Sequence, residues 1–503
     1  MFFNIAEKRQ GLFTPILIYD IRKEVQVSKS EHYITAPEDR IPVTHKAAYA
    51  VGMLVNNIQA AALPAMVVIL NLGLGMNPAL VGLIAFIPRM VDAMIDPMMG
   101  YISDNTRSRF GRRRPYIFWG AISAGIIFAL MWQLHAGHSQ SFYFWTFMTA
   151  SILFFCAYTV YAAPFIALGF EMSPDYHERT RLQGIANWVG QIAWITVPWF
   201  YAIMYSKRLF DGPVHGARTL AIAVGIFIVI GGIVPAIFTR EYFGSLPKKE
   251  ILNGFWKNLA DFFKGFAVTF KCRPFVKLCA ATFLIFNGFQ LGSSFSIYVM
   301  VYYVFGGDNN KAGTLQGWFG TTTSIFTLCI IPLAIWISTK VGKKKALLLT
   351  ISASLVGYAL KWVGYNPDYP YLLLVAAPFV SFGIGSLFTL ICAMVADVCD
   401  YDELQTGQRR EGMFGAIYWW MVKIGMSLAG LLTGLMLNAS GFDVALGGAQ
   451  SAKTLFLLRV FDVGTAMATS ALAIIVIATF DITEEKAHEI RLELEKRRGK
   501  PTA

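Results

Sequence analysis

The chain has 503 residues, of which 55% are hydrophobic and only 15% are charged, whereas a soluble domain usually carries about 25% charged residues. Its net charge of +12 would suit nucleic-acid binding, but the basic residues cluster in short loops between apolar runs. That distribution is the positive-inside pattern of membrane proteins. Composition and charge therefore indicate a lipid-bilayer environment and argue against a nucleic-acid partner.

Uncharged apolar runs recur along almost the whole chain, for example at 117–132, 220–238 and 371–395. Each run is close to or longer than the roughly 20 residues that cross a bilayer as a helix. The sequence therefore predicts an all-α membrane protein with twelve transmembrane helices. The predicted spans are 46–70, 79–104, 115–134, 142–171, 180–206, 218–239, 275–304, 313–338, 345–364, 371–399, 410–437 and 453–480.

Lysine and arginine residues mark one side of the predicted membrane protein. Five arginines lie at 107–114, between spans 2 and 3, and six basic residues lie at 248–273, whereas the loop at 71–76 carries no charge. The basic loop after span 5, at 207–218, is the main exception. The positive-inside rule predicts that the even-numbered loops and both termini are cytoplasmic. We expect the membrane to be a bacterial cytoplasmic (inner) membrane.

The longest internal polar segment divides the chain into two six-helix halves. A weak repeat supports this division, because 104–115 and 338–345 each combine a helix end, a glycine turn and a basic cluster, six spans apart. Two parallel halves with a substrate site between them near the midplane is a transporter arrangement. The predicted segments are a cytosolic extension (1–44), an N-terminal bundle (45–239), a central loop (240–274), a C-terminal bundle (275–480) and a cytoplasmic tail with a short surface helix (481–503).

Span 2 carries three ionisable residues, and such side chains inside a bilayer are costly enough to be candidate functional residues. Arg89, Asp92 and Asp96 are spaced by three and four, so they share one helix face. Two carboxylates one turn apart repel each other when both are ionised, and a bound Na⁺ or a proton relieves that repulsion. We predict that Asp92 and Asp96 couple cation binding to transport; the alternative is a structural ion-pair cluster.

Span 11 carries Lys423 deep in an apolar stretch, shortly after Trp419 and Trp420. A lone ammonium in a membrane needs an anionic partner, and Asp92 and Asp96 of the other half are the candidates. Alternatively, Lys423 donates directly to hydroxyl or carboxylate groups of a substrate. The two tryptophans offer faces on which a sugar could stack, while packing in lipid or in the core explains them equally well.

Uncharged amides also lie in predicted spans, with Asn56 and Asn57 in span 1 and Asn187 in span 5. Amides in an apolar helix can bond sugar hydroxyls, or they can hold neighbouring helices together. Both interpretations remain open for these three residues.

A set of opposite charges lies at the predicted cytoplasmic side. Asp397 and Asp400 end span 10, and Arg179 and Arg409 lie in the basic loops. Salt bridges between the halves here would close the inner side, and their breakage would open it. Each exposed pair stabilises by only about 0–1 kcal/mol, so a solvated helix end is the alternative. Asp104, at the end of span 2, belongs to the same predicted inner gate.

Three motifs in chain order resemble those of the melibiose-permease-like glycoside–pentoside–hexuronide:cation symporters, a branch of the major facilitator superfamily. The first runs through span 2 and its loop at 92–115. The second lies at 164–180, and the third lies at 396–412 and continues to Lys423. The likeness covers about residues 45–480. It implies the major facilitator fold and cation-coupled symport of a sugar or glycoside by alternating access.

The resemblance also implies roles for individual residues. Asp92 and Asp96 would bind Na⁺ or H⁺, with Thr159 of span 4 as a neutral ligand, so they are metal ligands only if the coupling ion is Na⁺. Lys423 would belong to a charge network. Arg89, which partly offsets the charge of the two acids, is a candidate substrate-binding residue beside it. Inner-gate roles would fall to Arg179, Asp397, Asp400 and Arg409.

The chain departs from the family pattern at three places. Asn56-Asn57 stands where the pattern has a Lys-Asp pair, Ala162 stands where it has an Asp in span 4, and Asn187 replaces a sugar-binding Arg. A cavity that has lost acids and kept Lys423 is less hostile to an anion, so an acidic sugar is a hypothesis beside a neutral one. The Na⁺ or H⁺ choice stays open.

The predicted protein is thus a transporter that acts as a monomer, without a cofactor and without enzymatic activity. Two other classes stand as alternatives. A membrane-embedded enzyme would need a catalytic constellation, but His135, His138 and His215 are scattered in outer loops without a matching nucleophile. A transport-dead sensor would not need the span 2 acids. A transporter of another small polar solute is the nearest alternative.

Overall fold

The computed structural model describes residues 39–135, 137–173, 176–241, 269–407 and 410–497. All regular secondary structure in these ranges is helical, as the sequence predicts. The helices, numbered in chain order, are α1 (Val43–Leu72), α2 (Pro78–Asn105), α3 (Arg114–Met131), α4 (Gln140–Glu171), α5 (Tyr176–Thr196), α6 (Pro213–Phe238), α7 (Arg273–Val304), α8 (Asn309–Val341), α9 (Lys343–Gly364), α10 (Pro370–Thr406), α11 (Glu411–Ala439), α12 (Ala452–Ala478) and α13 (Glu484–Arg497).

Eleven of the described helices are long and apolar enough to cross a membrane. The remaining predicted span, at 180–206, is helical as well, because α5 continues through a 3₁₀ turn at Val197–Trp199 into Phe200–Met204. The charged and amide side chains in the first half of α5 keep it out of that set. Twelve transmembrane helices are therefore compatible with the structure.

Local sequence sets several of the helix ends. The side chain of Asn77 accepts a hydrogen bond from the amide of Ala79 at 2.9 Å, and Pro78 occupies the first turn of α2, where its missing N–H costs nothing. Asp308 caps α8 in the same way. Gly342 has φ +84° between α8 and α9, a conformation that favours glycine. Short polar turns thus reverse the chain between spans.

The helices pack with their ends on two faces. The amide of Ile41, before α1, donates to Glu178 at the start of α5 at 3.0 Å, and Lys277 at the start of α7 pairs with Asp481 after α12 at 2.7 Å. We call the face where α1 begins and α12 ends the terminal face, and the opposite one the far face. The end of α1 meets the end of α7 at the far face, so both halves share this orientation.

Hydrogen bonds join the two halves at the far face. Tyr298 of α7 donates to Asn71 at 3.2 Å, and Asn438 in the last turn of α11 donates to Asn77 before α2 at 2.9 Å. Tyr201, in the continuation of α5, donates to Asn309 of α8 at 2.6 Å. The far ends of the two halves are therefore held together.

Glycines let the backbones of the two halves approach closely near the far face. A Cβ added to Gly313 of α8 would lie 2.8 Å from the Cα of Ala202, and one on Gly82 of α2 would lie 3.0 Å from the carbonyl oxygen of Gly430 in α11. Small residues are typical of close helix contacts in membranes. At these glycines α2 packs closely on α11, and the continuation of α5 packs closely on α8, so the two halves are in contact near the far face.

The charged tail forms the predicted surface helix, α13. Ile490 and Leu494 of α13 are buried in the cluster that includes Leu404 of α10, and Arg497 donates to the Leu404 carbonyl at 2.9 Å. The hydrogen bond from Lys277 holds the pKa of the Asp481 carboxyl below its usual value. The tail helix is therefore fastened to the terminal face of the C-terminal half.

Candidate functional site

Five side chains meet near the middle of the helices, and we call them the central cluster: Arg89, Asp92 and Asp96 of α2, Thr159 of α4 and Lys423 of α11. The spacing of three and four along α2 places its three residues on one face, as predicted. Asp92 and Thr159 are fully buried, whereas the Asp96 side chain is 38% exposed. The cluster therefore runs from a closed interior to a solvent-reachable edge.

Asp92 is the centre of the cluster. Its Oδ1 accepts a hydrogen bond from Thr159 at 2.5 Å, and its Oδ2 lies 2.9 Å from Lys423 Nζ and 3.4 Å from Arg89 Nη1. A buried carboxylate is tolerated only when it is paired and hydrogen-bonded. Both oxygens of Asp92 meet that requirement.

Lys423 pairs with both acids of α2, because its Nζ also forms an ion pair with Asp96 Oδ2. This is the contact that the sequence predicts for an intramembrane lysine. Since α2 and α11 belong to different halves, the contact joins the halves in the middle of the helices. Among ion pairs whose two partners are both described, the two pairs of Lys423 are the ones that join the halves.

Arg89 is held by more than Asp92. Its Nη2 donates to the carbonyl of Ala60 in α1 at 3.0 Å, and its guanidinium carbon lies 4.4 Å from the ring centroid of Phe155 in α4. A desolvated cation over an aromatic ring gains about 2 kcal/mol. Phe155 was not predicted, because one phenylalanine among many in an apolar span carries no signal.

The formal charges of the central cluster cancel, since two carboxylates face one guanidinium and one ammonium. Carboxylate and hydroxyl oxygens from Asp92, Asp96 and Thr159 are the hard ligands that alkali and alkaline-earth cations prefer. No group of three or more His, Cys, Asp or Glu side chains that could hold a metal ion occurs in the part of the chain that the structure describes. A cation at the two acids must compete with Lys423 for the same oxygens.

The predicted amides lie in different environments. Asn57 donates to the carbonyl of Gly190 in α5 at 3.0 Å, which is a helix-to-helix bond. Asn56 is buried, and its side-chain oxygen has no partner among the described residues. Asn187 is exposed. None of the three contacts the central cluster through a described hydrogen bond, so their predicted substrate roles stay predictions.

The predicted tryptophans lie one turn from Lys423 on α11. Trp419 is 54% exposed and stacks on Phe388 of α10, with ring centroids 5.7 Å apart and an angle of 12°. Trp420 is half-buried. An exposed ring that already has a stacking partner fits packing as well as sugar binding, so both interpretations remain.

The predicted inner-gate residues of the N-terminal half, Asp104 and Arg179, form bonds within that half. Asp104 accepts from Arg113 at 2.7 Å, and the same guanidinium lies 2.8 Å from Glu171 of α4. Arg179 donates to the carbonyl of Ser173 at 2.6 Å. These bonds tie α2, α3 and α4 together at the terminal face.

Of the predicted inner-gate residues of the C-terminal half, Asp397 also pairs within its own half. Asp397 of α10 pairs with Lys343 of α9 at 2.7 Å, and Asp402 pairs with Arg410 at 2.6 Å. Asp400 is half-buried on α10, and Arg409 lies outside the described residues. The ion pairs that the structure describes at the terminal face each stay in one half, so the predicted pairing between halves stays a prediction.

A second buried ion pair lies in the C-terminal half. Lys361 of α9 pairs with Asp462 of α12 at 2.6 Å, with side chains 3% and 0% exposed, and Tyr365 donates to the same carboxylate. Asp462 lies in a π-helical segment, Val460–Gly464. We call this the α9–α12 pair. Both residues fall in predicted spans, so their charges are a signal in the sequence for a buried ion pair.

Comparison with known proteins gives a consistent result. A family model described as MFS/sugar transport protein matches residues 48–484. The chain is similar to the uncharacterised symporter YnaJ of Bacillus subtilis, with 27% identity covering 91% of this chain and 96% of the relative. It is also similar to the isoprimeverose transporter of Lactiplantibacillus pentosus, with 25% identity covering 76% of each chain.

Solved structures are similar in fold. The crystal structure of a D-xylose–proton symporter superposes with a TM-score of 0.60 at 15% identity, covering 88% of this chain and 99% of that one. At such low identity the likeness concerns the fold alone. The predicted all-α architecture of the major facilitator type is thereby confirmed.

Proposed function

Because the chain belongs to the MFS/sugar transport protein family, in its glycoside–pentoside–hexuronide symporter branch, and is a transporter rather than an enzyme, we propose that it imports a sugar or glycoside with a coupled Na⁺ or H⁺. The central cluster is the coupling site in this proposal. Asp92, Asp96 and Thr159 bind the cation, and Lys423 and Arg89 balance the charge of the two acids when the cation is absent.

The observation that carries the proposal is the pairing of Lys423 with Asp92 and Asp96. A Na⁺ or proton that reaches the two carboxylates weakens their attraction for the ammonium. The ion pair between the halves is then released, so occupancy of the cation site changes the energy of the interface on which alternating access depends.

The positions of the contacts between halves support an inward-open state. The described hydrogen bonds between halves lie at the central cluster or toward the far face, whereas the terminal-face ion pairs lie within one half. Since basic loops face the cytoplasm, we assign the terminal face to the cytoplasmic side of a bacterial inner membrane. Closure of that face would bring Asp104, Arg179, Asp397, Asp400 and Arg409 toward partners in the other half.

Transport assays with purified protein in proteoliposomes test the proposal. Inward gradients of Na⁺ and of H⁺ are imposed separately, and uptake of radiolabelled isoprimeverose, other neutral glycosides and glycosiduronic acids is measured. We expect uphill accumulation of at least one sugar with one gradient, and none when an ionophore collapses that gradient.

Other outcomes would contradict parts of the proposal. Sugar counterflow without accumulation under either gradient would contradict cation coupling. Binding without counterflow would favour a sensor. If the protein takes up neither neutral nor acidic sugars, the sugar assignment is wrong and another small polar solute is favoured.

A further inference from the structure

A cavity of about 310 Å³ lies between the two halves, on the far-face side of the central cluster. Met426 of α11, which lines it, is one helical turn from Lys423, so the cavity and the cluster are neighbours. Ligand pockets typically enclose about 300–1,000 Å³. The space is therefore of the size of a small-molecule site.

The wall from α1 and α2 is apolar. It consists of alanine, valine, proline and glycine, for example Ala60, Val68, Val81 and Ala85. Aromatic rings from the other helices, Trp194 among them, complete the apolar lining. Such surfaces fit the C–H face of a sugar ring, which is its least polar side.

The opposite wall, from α7 and α8, carries hydrogen-bonding groups. Gln290, Ser293 and Ser294 share one face of α7, and Gln316 projects from α8. Within the described part of the chain, the side-chain oxygen of Gln316 is buried and has no hydrogen-bond partner. A buried amide without a partner costs about 1–3 kcal/mol, so a ligand hydroxyl at this position would remove a penalty.

The lining contains no charged side chain. The cations of the neighbouring central cluster, Arg89 and Lys423, are already paired with Asp92 and Asp96. A carboxylate or sulfonate placed in the cavity would therefore lose its hydration without gaining an unpaired cationic partner, which is strongly unfavourable. A hydroxyl can both donate to and accept from Gln and Ser side chains. The cavity therefore discriminates against anions and favours polyhydroxylated neutral molecules.

We propose that this cavity is the substrate site and that the substrate is an uncharged sugar or glycoside, recognised by Gln290, Ser293 and Gln316. The proposal rests on the proposed transport of sugars and names their class. It also moves the site away from Asn187 and Trp419, neither of which lines the cavity.

Matched ligands test the charge of the substrate. Binding to the purified full-length protein is measured by titration calorimetry with methyl glycosides and their C6-oxidised uronides, for example methyl β-D-glucoside against methyl β-D-glucuronide, and with isoprimeverose. For any ring skeleton that binds, we expect the neutral member to bind at least about tenfold more tightly. Equal or tighter binding of the uronide overturns the inference and leaves the proposed function standing, whereas binding of no sugar contradicts both.

Matched variants test the position of the site. Gln316→Leu and Gln290→Leu keep the side-chain size and should each raise the Kd of the neutral ligand about three- to tenfold. Gln316→Asn, which keeps the amide, should bind with an intermediate Kd. Gln133→Leu, just after α3 and outside the cavity, is the control. Gel filtration and unfolding midpoints confirm that each variant is folded.

The rival position gives the opposite result. If Asn187→Ala or Trp419→Leu weakens binding while both leucine variants at Gln290 and Gln316 retain the wild-type Kd, the substrate lies on the terminal side. That outcome overturns the assignment of this cavity, independently of which sugar class is bound.

Discussion

The central cluster and the α9–α12 pair use the same chemistry in different places. Each contains carboxylates neutralised by basic side chains inside apolar helices. The α9–α12 pair is almost inaccessible and lies within one half, whereas Lys423 and Asp96 are 21% and 38% exposed and belong to different halves. An ion pair within one bundle fixes that bundle, while an ion pair between bundles changes whenever the bundles separate.

Under the proposed function, this difference separates the buried charges that would serve transport from those that would hold one bundle together. Lys361 donates to one oxygen of Asp462 and Tyr365 donates to the other. Asp96, by contrast, keeps an exposed edge that a cation can reach. We therefore expect the two groups to respond to substitution in different assays, one in transport and the other in stability.

The largest effect is expected for Asp92→Asn and Asp96→Asn. Each substitution removes a carboxylate for which the cation competes with Lys423. Without coupling free energy a cation gradient cannot drive the sugar uphill, so the ratio of internal to external sugar concentration should fall to about 1. Uptake in proteoliposomes under the effective gradient measures this. Full accumulation by either variant would contradict coupling at the central cluster.

The second prediction concerns the α9–α12 pair. Asp462→Ala leaves Lys361 buried without its partner and should lower the free energy of unfolding by about 3–5 kcal/mol. Denaturant unfolding in detergent micelles checks this value. The control is the double variant Asp462→Leu with Lys361→Met, which should recover most of the loss and still accumulate sugar. A double variant that is stable but uncoupled would show that the α9–α12 pair serves transport as well.

The smallest effect is expected at the surface, where Lys277 fastens Asp481. Because the pKa of Asp481 is lowered in the folded protein, its contribution is present above its unfolded pKa and is lost as the pH falls through the folded value. Asp481→Asn should therefore cost less than about 1 kcal/mol at pH 7. The two proteins should become equally stable once the pH has fallen below the lowered, folded-state pKa of Asp481. A stability difference that persists in acid would mean that Asp481 acts otherwise than as a charge.

The sequence allowed prediction of the parts of this molecule that follow from hydrophobicity and from the cost of charge in a membrane. The spans come from apolar runs, and the contact between Lys423 and the α2 acids follows because a buried ammonium requires a carboxylate. The predicted span 10 ends at 399, whereas α10 continues to Thr406. Its last turns carry charged side chains, so a hydropathy pattern does not include them.

Other contacts could not be predicted from one sequence, because they depend on which helix faces meet. Lys361 and Asp462 are 101 positions apart, and nothing in the spacing links them. Phe155 looks like any other aromatic residue of α4 until Arg89 is placed over it. The cavity wall is still harder to predict, because only the structure shows that Gln290 and Gln316 line the same cavity.

The glycine contacts at the far face have a mechanical consequence. Where Gly82 lies against Gly430 and Gly313 lies against Ala202, the helix backbones approach closely because these glycines have no side chain between them. Surfaces of this kind separate without rotamer changes, so parting them costs contact energy but requires little internal rearrangement. The two bundles can thus separate and come together again at the far face while each bundle keeps its own shape.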